Sequence, residues 1–179
     1  MIFTPGKEQY DFEEGQIILI DKPLKWTSFD VVNKVCYLLK NQFGLKKIKV
    51  GHAGTLDPLA TGLLIVCTGK FTKRIEEIQA HDKEYTGTFM LGATTPSYDR
   101  ETEIDRTFST DGITRERVEE VLRTFVGEQD QVPPLFSAKQ IGGQRAYVAA
   151  RKGREVELKP ARINIERIEL IECNLPMVT

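Results

Sequence analysis

Strand-like and helix-like segments follow one another in an irregular order along the chain. Residues 16–20 are a short apolar run that predicts a strand, and Ser28 is expected to cap a helix that Gly44 ends. Two further strand-like runs, 47–50 and 63–67, enclose a glycine-rich loop. Because strands and helices do not alternate one for one, the pattern predicts the α+β class. We expect a mixed, largely antiparallel sheet flanked by helices rather than a doubly wound parallel sheet.

The remaining segments fit the same class. Apolar residues at helical spacing predict a second helix over 71–78 and a third over 118–125. An alternating run predicts a strand over 83–91, and the isoleucines and leucine of 163–170 predict further strands. Residues 145–152 are expected to form a short helix.

Length and composition limit the class of protein. The chain has 179 residues, of which 40% are hydrophobic, and no apolar run approaches the roughly 20 residues of a membrane span. Residues 1–15 lack the basic and apolar regions of a secretory signal, so we expect a cytoplasmic protein that does not bind membranes. We expect an N-terminal arm over residues 1–15 and one domain over 16–179.

Cysteines and charged residues narrow the possibilities further. The three cysteines are far apart, which favours reduced thiols over disulfides or a zinc site. Acids alternate over 99–105, but they lack the glycine and spacing of a calcium loop, so a solvated loop is favoured over a metal site. The net charge is −1, so binding of a nucleic acid would depend on local basic clusters, which solvation alone also explains. The three clusters are Lys40, Lys46, Lys47 and Lys49; Lys70, Lys73 and Arg74; and Arg145, Arg151, Lys152, Arg154, Lys159 and Arg162.

The loop over residues 51–62 contains one carboxylate, that of Asp57. The glycines of this loop lack the spacing of a phosphate-binding loop and the Lys-Ser/Thr ending that such a loop requires. They also lack the glycine spacing of a dinucleotide fingerprint. Pro58 directs the backbone of the preceding residue toward an extended conformation, so the carboxylate is presented from a restrained chain.

The neighbours of this carboxylate, Leu56, Leu59 and Ala60, predict apolar surroundings for it. A carboxylate in such a place either accepts hydrogen bonds from backbone N–H groups or takes part in chemistry.

The sequence Gly-His-Ala-Gly-Thr-Leu-Asp-Pro-Leu-Ala-Thr-Gly over 51–62 closely resembles the active-site motif of TruB-type tRNA pseudouridine synthases. Other segments resemble the family's motifs in the same order: Asp21-Lys22-Pro23 with Thr27-Ser28, Lys83-Glu84-Tyr85, Leu91-Gly92 to Asp99, Val132-Pro133-Pro134, Ser137-Ala138, Tyr147, and Ala150 to Gly153. The resemblance covers about residues 15–170. It implies a pseudouridine synthase catalytic domain over 16–179.

Some positions depart from the family pattern. Lys25 stands where the family usually has glycine, Phe136 where it has tyrosine, and Thr102 where glycine is common. The family also continues with a Lys-Gly-Thr-Tyr-Ile-Arg segment beyond the position of Thr179, so we expect a domain that is incomplete at its C-terminus and inactive, or nearly so, by itself.

The resemblance implies a reaction and a set of site residues. Family members detach uracil from its ribose, rotate it and rejoin it through carbon 5, with one aspartate and no cofactor or metal. The implied substrate is the T-loop uridine (position 55) of tRNA, bound as the T stem-loop by a bacterial, stand-alone monomer without a guide RNA. The implied residues are Asp57 as the catalytic group, His52 filling the space that the base leaves, Tyr85 stacking on the base, Asp99 ordering the pocket, and Arg151 and Lys152 gripping the RNA.

Two questions stay open at this point. The family's arginine partner of the catalytic carboxylate lies in the segment beyond Thr179, and in this chain His52, Lys83 and the basic clusters are the candidates to replace it. The alternative to an enzyme is an RNA-binding or RNA-folding module on the same scaffold. A guide-RNA-dependent relative is disfavoured because Leu59-Ala60 and residues 63–80 resemble the stand-alone branch.

Overall fold

A computed structural model describes residues 10–132, 140–141, 144–145 and 160–179. The chain divides into two compact units, Met1–Glu84 and Tyr85–Thr179. The division into an arm over residues 1–15 and one domain over 16–179 stays a prediction.

The N-terminal unit is built on a three-stranded antiparallel sheet. Its strands are β1 (Ile17–Lys22), β2 (Val50–Ala53) and β3 (Gly62–Thr68), in the order β1-β3-β2. The predicted strand over 47–50 therefore begins three residues later and extends to Ala53. In the register, Ile20 lies opposite Leu64 and His52 lies opposite Val66.

Helix α1 (Ser28–Gln42) begins with a capping box. The Thr27 hydroxyl accepts a hydrogen bond from the Asp30 N–H at 3.0 Å, and the Asp30 carboxylate accepts one from the Thr27 N–H at 2.8 Å. Hydrogen bonds from Thr27 hold the pKa of the Asp30 carboxyl below its usual value. The prediction that Ser28 is the cap is wrong by one position, because the Ser28 hydroxyl bonds elsewhere. The predicted end is confirmed, since α1 stops before Gly44, which has a φ of +67°.

One face of the sheet packs against α1 and forms the core. The buried residues of this core are Phe12, Ile20, Val31, Val35, Leu39, Leu64 and Val66. Ile17, Leu19 and Leu63 lie exposed on strands β1 and β3. All three cysteines are free thiols, and burial raises the pKa of the Cys67 thiol.

The segment after β3 differs from the single helix predicted over 71–78. It forms a 3₁₀ turn over Gly69–Arg74 and then a short helix, α2 (Ile75–Gln79). The Thr72 hydroxyl donates to the Gly69 carbonyl at 2.8 Å, and the Gly69 N–H donates to the Lys49 carbonyl at 2.8 Å. The N–H and the carbonyl of Gly69 thus make hydrogen bonds that do not belong to an α-helical ladder, and the first turn is a 3₁₀ turn.

The C-terminal unit contains helix α3 (Arg115–Arg123) and short strands. The third helix is thus confirmed, with its end two residues earlier than predicted. The strands are β4 (Phe89–Met90), β5 (Ala93–Thr94), β6 (Arg106–Thr107), β7 (Gly127–Gln131), β8 (Gln140–Ile141), β9 (Gln144–Arg145), β10 (Ala161–Ile165), β11 (Cys173–Asn174) and β12 (Met177–Val178). They form the antiparallel sheets β10-β7, β11-β12-β4, β5-β6 and β8-β9. The α+β class is confirmed, although several small antiparallel sheets replace one mixed sheet.

Two predicted strands are shorter than expected. Of residues 83–91 only Phe89–Met90 pair, because their partner β12 offers two residues, and Tyr85 lies outside any strand. Of 163–170 only the part within β10 is a strand. Most of the helix predicted over 145–152 lies outside the described residues, and Arg145 belongs to β9. Among the described residues, no helix has the length and apolar composition to cross a bilayer.

Candidate active site

The carboxylate of Asp57 lies in a hairpin loop. Strands β2 and β3 pair antiparallel, and residues 54–61 connect them. The loop is bounded by Gly54 and Gly62, whose φ angles of +102° and +122° favour glycine. Two strands enclose this loop as predicted, but the first is shifted by three residues, so that residues 51–53 belong to β2 and not to the loop.

A serine at the start of α1 fixes the residue before Asp57. The buried Ser28 hydroxyl accepts a hydrogen bond from the Leu56 N–H at 2.9 Å and donates one to the Leu56 carbonyl at 3.1 Å. One hydroxyl can do both because it carries one donor and two acceptor lone pairs. The start of the helix therefore holds the loop on the N-terminal side of the carboxylate.

Backbone hydrogen bonds fix the other side of the loop. The Lys25 N–H donates to the Pro58 carbonyl at 2.7 Å, and the Ala60 N–H donates to the Asp57 carbonyl at 3.0 Å. The backbone of Asp57 is thus bounded by anchored residues on both sides.

The Asp57 side chain is exposed to solvent, so the expected apolar enclosure is wrong for the described part of the chain. Exposure alternates along the loop: Leu56 packs against the core, whereas Asp57 and Leu59 are exposed. Residues 57–60 form a turn, which the hydrogen bond from the Ala60 N–H to the Asp57 carbonyl closes. Water can therefore solvate the Asp57 carboxylate in this position.

A buried lysine lies within electrostatic range of this carboxylate. Lys22, the last residue of β1, is fully buried, and its ammonium donates to the Trp26 carbonyl at 2.6 Å and the Pro23 carbonyl at 3.2 Å. Burial lowers the pKa of the Lys22 ammonium from its usual 10.5, whereas the negative charges of Asp57 and Asp30 act to raise it. Among the described residues, Lys22 is therefore a cation close enough for its charge to interact with that of the Asp57 carboxylate.

Lys22 lies in the Asp21-Lys22-Pro23 motif, but it is not among the cations that the sequence predicts for this role, which are His52, Lys83 and the basic clusters. The signal in the sequence is the period of two along β1, which places Lys22 on the same face as Ile18 and Ile20, and the structure buries that face at Ile20 and Lys22. Lys83, which was considered, donates instead to the carbonyls of Gln79 and His81 at 2.6 and 2.7 Å.

His52 lies on β2, at the base of the same hairpin. Its Nδ1 atom is 2.5 Å from the Gly54 carbonyl oxygen. A carbonyl can only accept a hydrogen bond, so Nδ1 carries the proton and, in the neutral ring, Nε2 is an acceptor. The half-buried ring is thereby held in one orientation beside the loop.

The other predicted site residues lie outside this hairpin. Tyr85 and Asp99 belong to the C-terminal unit, and both are exposed, Tyr85 to 76%. The Asp99 carboxylate accepts hydrogen bonds from the Ser97 hydroxyl at 2.5 Å and the Glu101 N–H at 2.9 Å, so it orders its own loop. Arg151 and Lys152 lie outside the described residues.

The hairpin has the properties of a site for covalent or acid–base chemistry. It presents one carboxylate to solvent from a loop whose backbone is anchored, with an oriented imidazole on the adjoining strand. An ionised carboxylate held in this way can act as a nucleophile or as a base. Within the ranges that the structure describes, His, Cys, Asp and Glu side chains form no group of three that could hold a metal ion.

Comparison with known proteins identifies what this chain is similar to. Residues 40–179 match the model of the TruB family pseudouridylate synthase (N terminal domain). The chain is 61% identical over 168 residues to tRNA pseudouridine synthase B of Phocaeicola vulgatus, covering 94% of this chain and 72% of that protein. It is 56% identical over 169 residues to the Flavobacterium johnsoniae protein of the same name, covering 94% and 74%, and 46% identical over 167 residues to that of Chlorobaculum tepidum, covering 93% and 69%.

Proposed function

The chain belongs to the TruB family of pseudouridylate synthases, and from this premise we propose that it converts the T-loop uridine of tRNA into pseudouridine with Asp57 as the catalytic group. The relatives named above are tRNA pseudouridine synthases, which supports tRNA as the substrate and an isomerase as the class of enzyme. The protein acts in the cytoplasm as a monomer, and it requires no guide RNA, cofactor or metal.

The observation that carries the proposal is the anchored, exposed carboxylate of the hairpin loop. The Ser28 hydroxyl and the Lys25 N–H hold the residues on either side of Asp57. A catalytic group accelerates a reaction most when its position is fixed before the substrate binds, because a misplacement of about 1 Å can lower the rate about 100-fold. This arrangement favours the enzyme over an RNA-binding module, since binding alone has no need of a fixed carboxylate.

The substrate must be unstacked before the carboxylate can reach it. A uridine in a folded tRNA loop has to be swung out, at a cost of a few kcal/mol that protein contacts must offset. Two candidates for those contacts are His52, whose ring is oriented beside the loop, and Tyr85, whose ring is exposed and available for stacking. We assign Asp99 to ordering the pocket, and Arg151 and Lys152 to holding the RNA backbone.

The reaction can be followed through the hydrogen on carbon 5. The bond from N1 of uracil to the ribose breaks, a bond from carbon 5 to the ribose forms, carbon 5 loses its proton and N1 gains one. A T stem-loop that carries tritium on carbon 5 of its uridines therefore releases label to water at each turnover.

The test uses the intact protein with two labelled RNAs, a T stem-loop and the same stem-loop with cytidine at the target position. We expect one equivalent of tritium from the first RNA, none from the second, and pseudouridine at the target position on nuclease mapping. Tight binding of the T stem-loop without release of tritium would instead favour the RNA-binding or RNA-folding module.

A further inference from the structure

Lys25 has a backbone conformation that L side chains rarely adopt. Its φ is +68°, and in the described part of the chain only Tyr98 shares a positive φ among residues other than glycine. The Cβ atom makes this region unfavourable, whereas glycine enters it without that penalty. A lysine here therefore reduces the stability of the fold relative to glycine.

The surrounding hydrogen bonds impose this conformation. The Lys25 N–H donates to the Pro58 carbonyl at 2.7 Å, and the Trp26 N–H donates to the Pro23 carbonyl at 3.4 Å. The buried Lys22 ammonium holds the Trp26 carbonyl on the other side. The segment 23–26 is thus bound both to the hairpin loop and to the buried lysine, and its turn does not depend on the side chain at position 25.

The Lys25 side chain has no structural role in the described residues. It is exposed, and its ammonium makes no ion pair or hydrogen bond within the ranges that the structure describes. Its backbone is nevertheless bonded to the residue that follows Asp57. A free cation therefore lies next to the candidate catalytic loop, at a position where the backbone favours glycine.

We propose that Lys25 binds a phosphate of the RNA backbone next to the nucleotide on which Asp57 acts. This assignment rests on the proposed function. A nucleotide that approaches Asp57 brings its own phosphates toward an ionised carboxylate, and like charges repel. An exposed ammonium beside the loop offsets that repulsion, and lysine suits a phosphate because it is a compact charge with three donors.

The test compares three substitutions at this position. Lys25→Gly removes the charge and relieves the backbone, Lys25→Gln removes the charge alone, and Lys25→Arg keeps the charge. Lys34→Gln serves as the control, because it removes one exposed positive charge from α1 in the same unit. Affinity for an unlabelled T stem-loop is measured with the intact protein from low to moderate salt, and thermal unfolding is measured without RNA.

We expect Lys25→Gly and Lys25→Gln to weaken RNA binding about tenfold at low salt and to reduce the slope of log Kd against log salt by about 0.7 to 0.9. Lys25→Arg should bind as the parent protein does, and Lys34→Gln should leave the slope unchanged. Lys25→Gly should also raise the melting temperature by about 2–4 °C, since it alone relieves the backbone.

Two outcomes would overturn the proposal. The first is an unchanged salt slope in both neutral variants, and the second is a lower melting temperature for Lys25→Gly. Pseudouridine formation by the parent protein distinguishes a failure of the proposed function. In that case the parent protein forms no pseudouridine, whatever effect the variants at position 25 have on the salt slope.

Discussion

At the scale of single residues, the buried ammonium of Lys22 is the least expected feature. A charged group in the interior is unfavourable unless it is hydrogen-bonded and paired. Lys22 meets the first condition, with two backbone carbonyls as acceptors, and the negative charges of Asp57 and Asp30 act on it without an ion pair in the described part of the chain. It connects the end of β1 to the turn over 23–26.

Lys22→Met tests this role, because methionine keeps an unbranched apolar side chain and removes the charge. The Trp26 and Pro23 carbonyls lose their donor, so we expect the free energy of unfolding to fall by about 1–3 kcal/mol at pH 7. Urea denaturation measures this change. Lys40→Met, which removes an exposed charge from α1 in the same unit, should have little effect on the free energy of unfolding.

The pH dependence of that difference has a definite sign. Burial lowers the pKa of Lys22 in the folded protein below the 10.5 of the unfolded chain. Between those two values the unfolded chain binds more protons, so the cost of burying the charge is relieved and stability rises with pH. The stability advantage of the parent protein over Lys22→Met should therefore grow as the pH rises toward 10.5. A constant or shrinking difference in that window would contradict a buried, desolvated ammonium.

At the scale of elements, the start of α1 has two functions carried by adjacent hydroxyl groups. Thr27 caps the helix, and Ser28 holds the Leu56 peptide of the hairpin loop. The two residues are neighbours of similar chemistry, so they provide a matched pair of variants.

Ser28→Ala should reduce turnover of the labelled T stem-loop about 10- to 100-fold with little change in RNA affinity, because the loop that carries Asp57 loses its anchor. Thr27→Ala should cost about 1 kcal/mol of stability through loss of the cap and leave turnover near that of the parent. Tritium release and chemical denaturation measure the two effects. Equal losses of turnover in both variants would mean that Ser28 acts only through the stability of the helix.

The same scale shows what sequence patterns can predict here. The helix that ends before Gly44 and the two strands around the hairpin loop follow from local periodicity and a local stop signal, and both predictions are confirmed. The strand expected around Tyr85 fails because its length depends on β12, which lies about 90 residues later in the chain and pairs through two residues. Local patterns indicate that a segment can pair, but the distant partner decides how far it does.

At the scale of the whole molecule, a local motif indicates the family, whereas the surroundings of the candidate catalytic carboxylate depend on how the chain packs. The motif over 51–62 identified the family, whereas the exposure of Asp57 and the burial of Lys22 required the packed structure. Leucines beside a carboxylate suggested an apolar enclosure, but Leu56 packs into the core beneath the loop and leaves the carboxylate in solvent. Which side of the chain a leucine faces depends on the tertiary structure around it.

The central claim is that the Asp57 carboxylate carries the isomerisation. The most direct measurement is single-turnover formation of pseudouridine in a T stem-loop by the intact protein and its Asp57→Asn variant, with RNA affinity measured in parallel. Asparagine keeps the shape and removes the charge, so we predict a loss of about 1,000-fold or more in rate with the Kd for RNA nearly unchanged. Asp82→Asn, at an exposed acid of the same unit, should react as the parent does. An Asp57→Asn protein that forms pseudouridine within about tenfold of the parent rate would contradict the account, because that loss is far smaller than removal of a catalytic group causes.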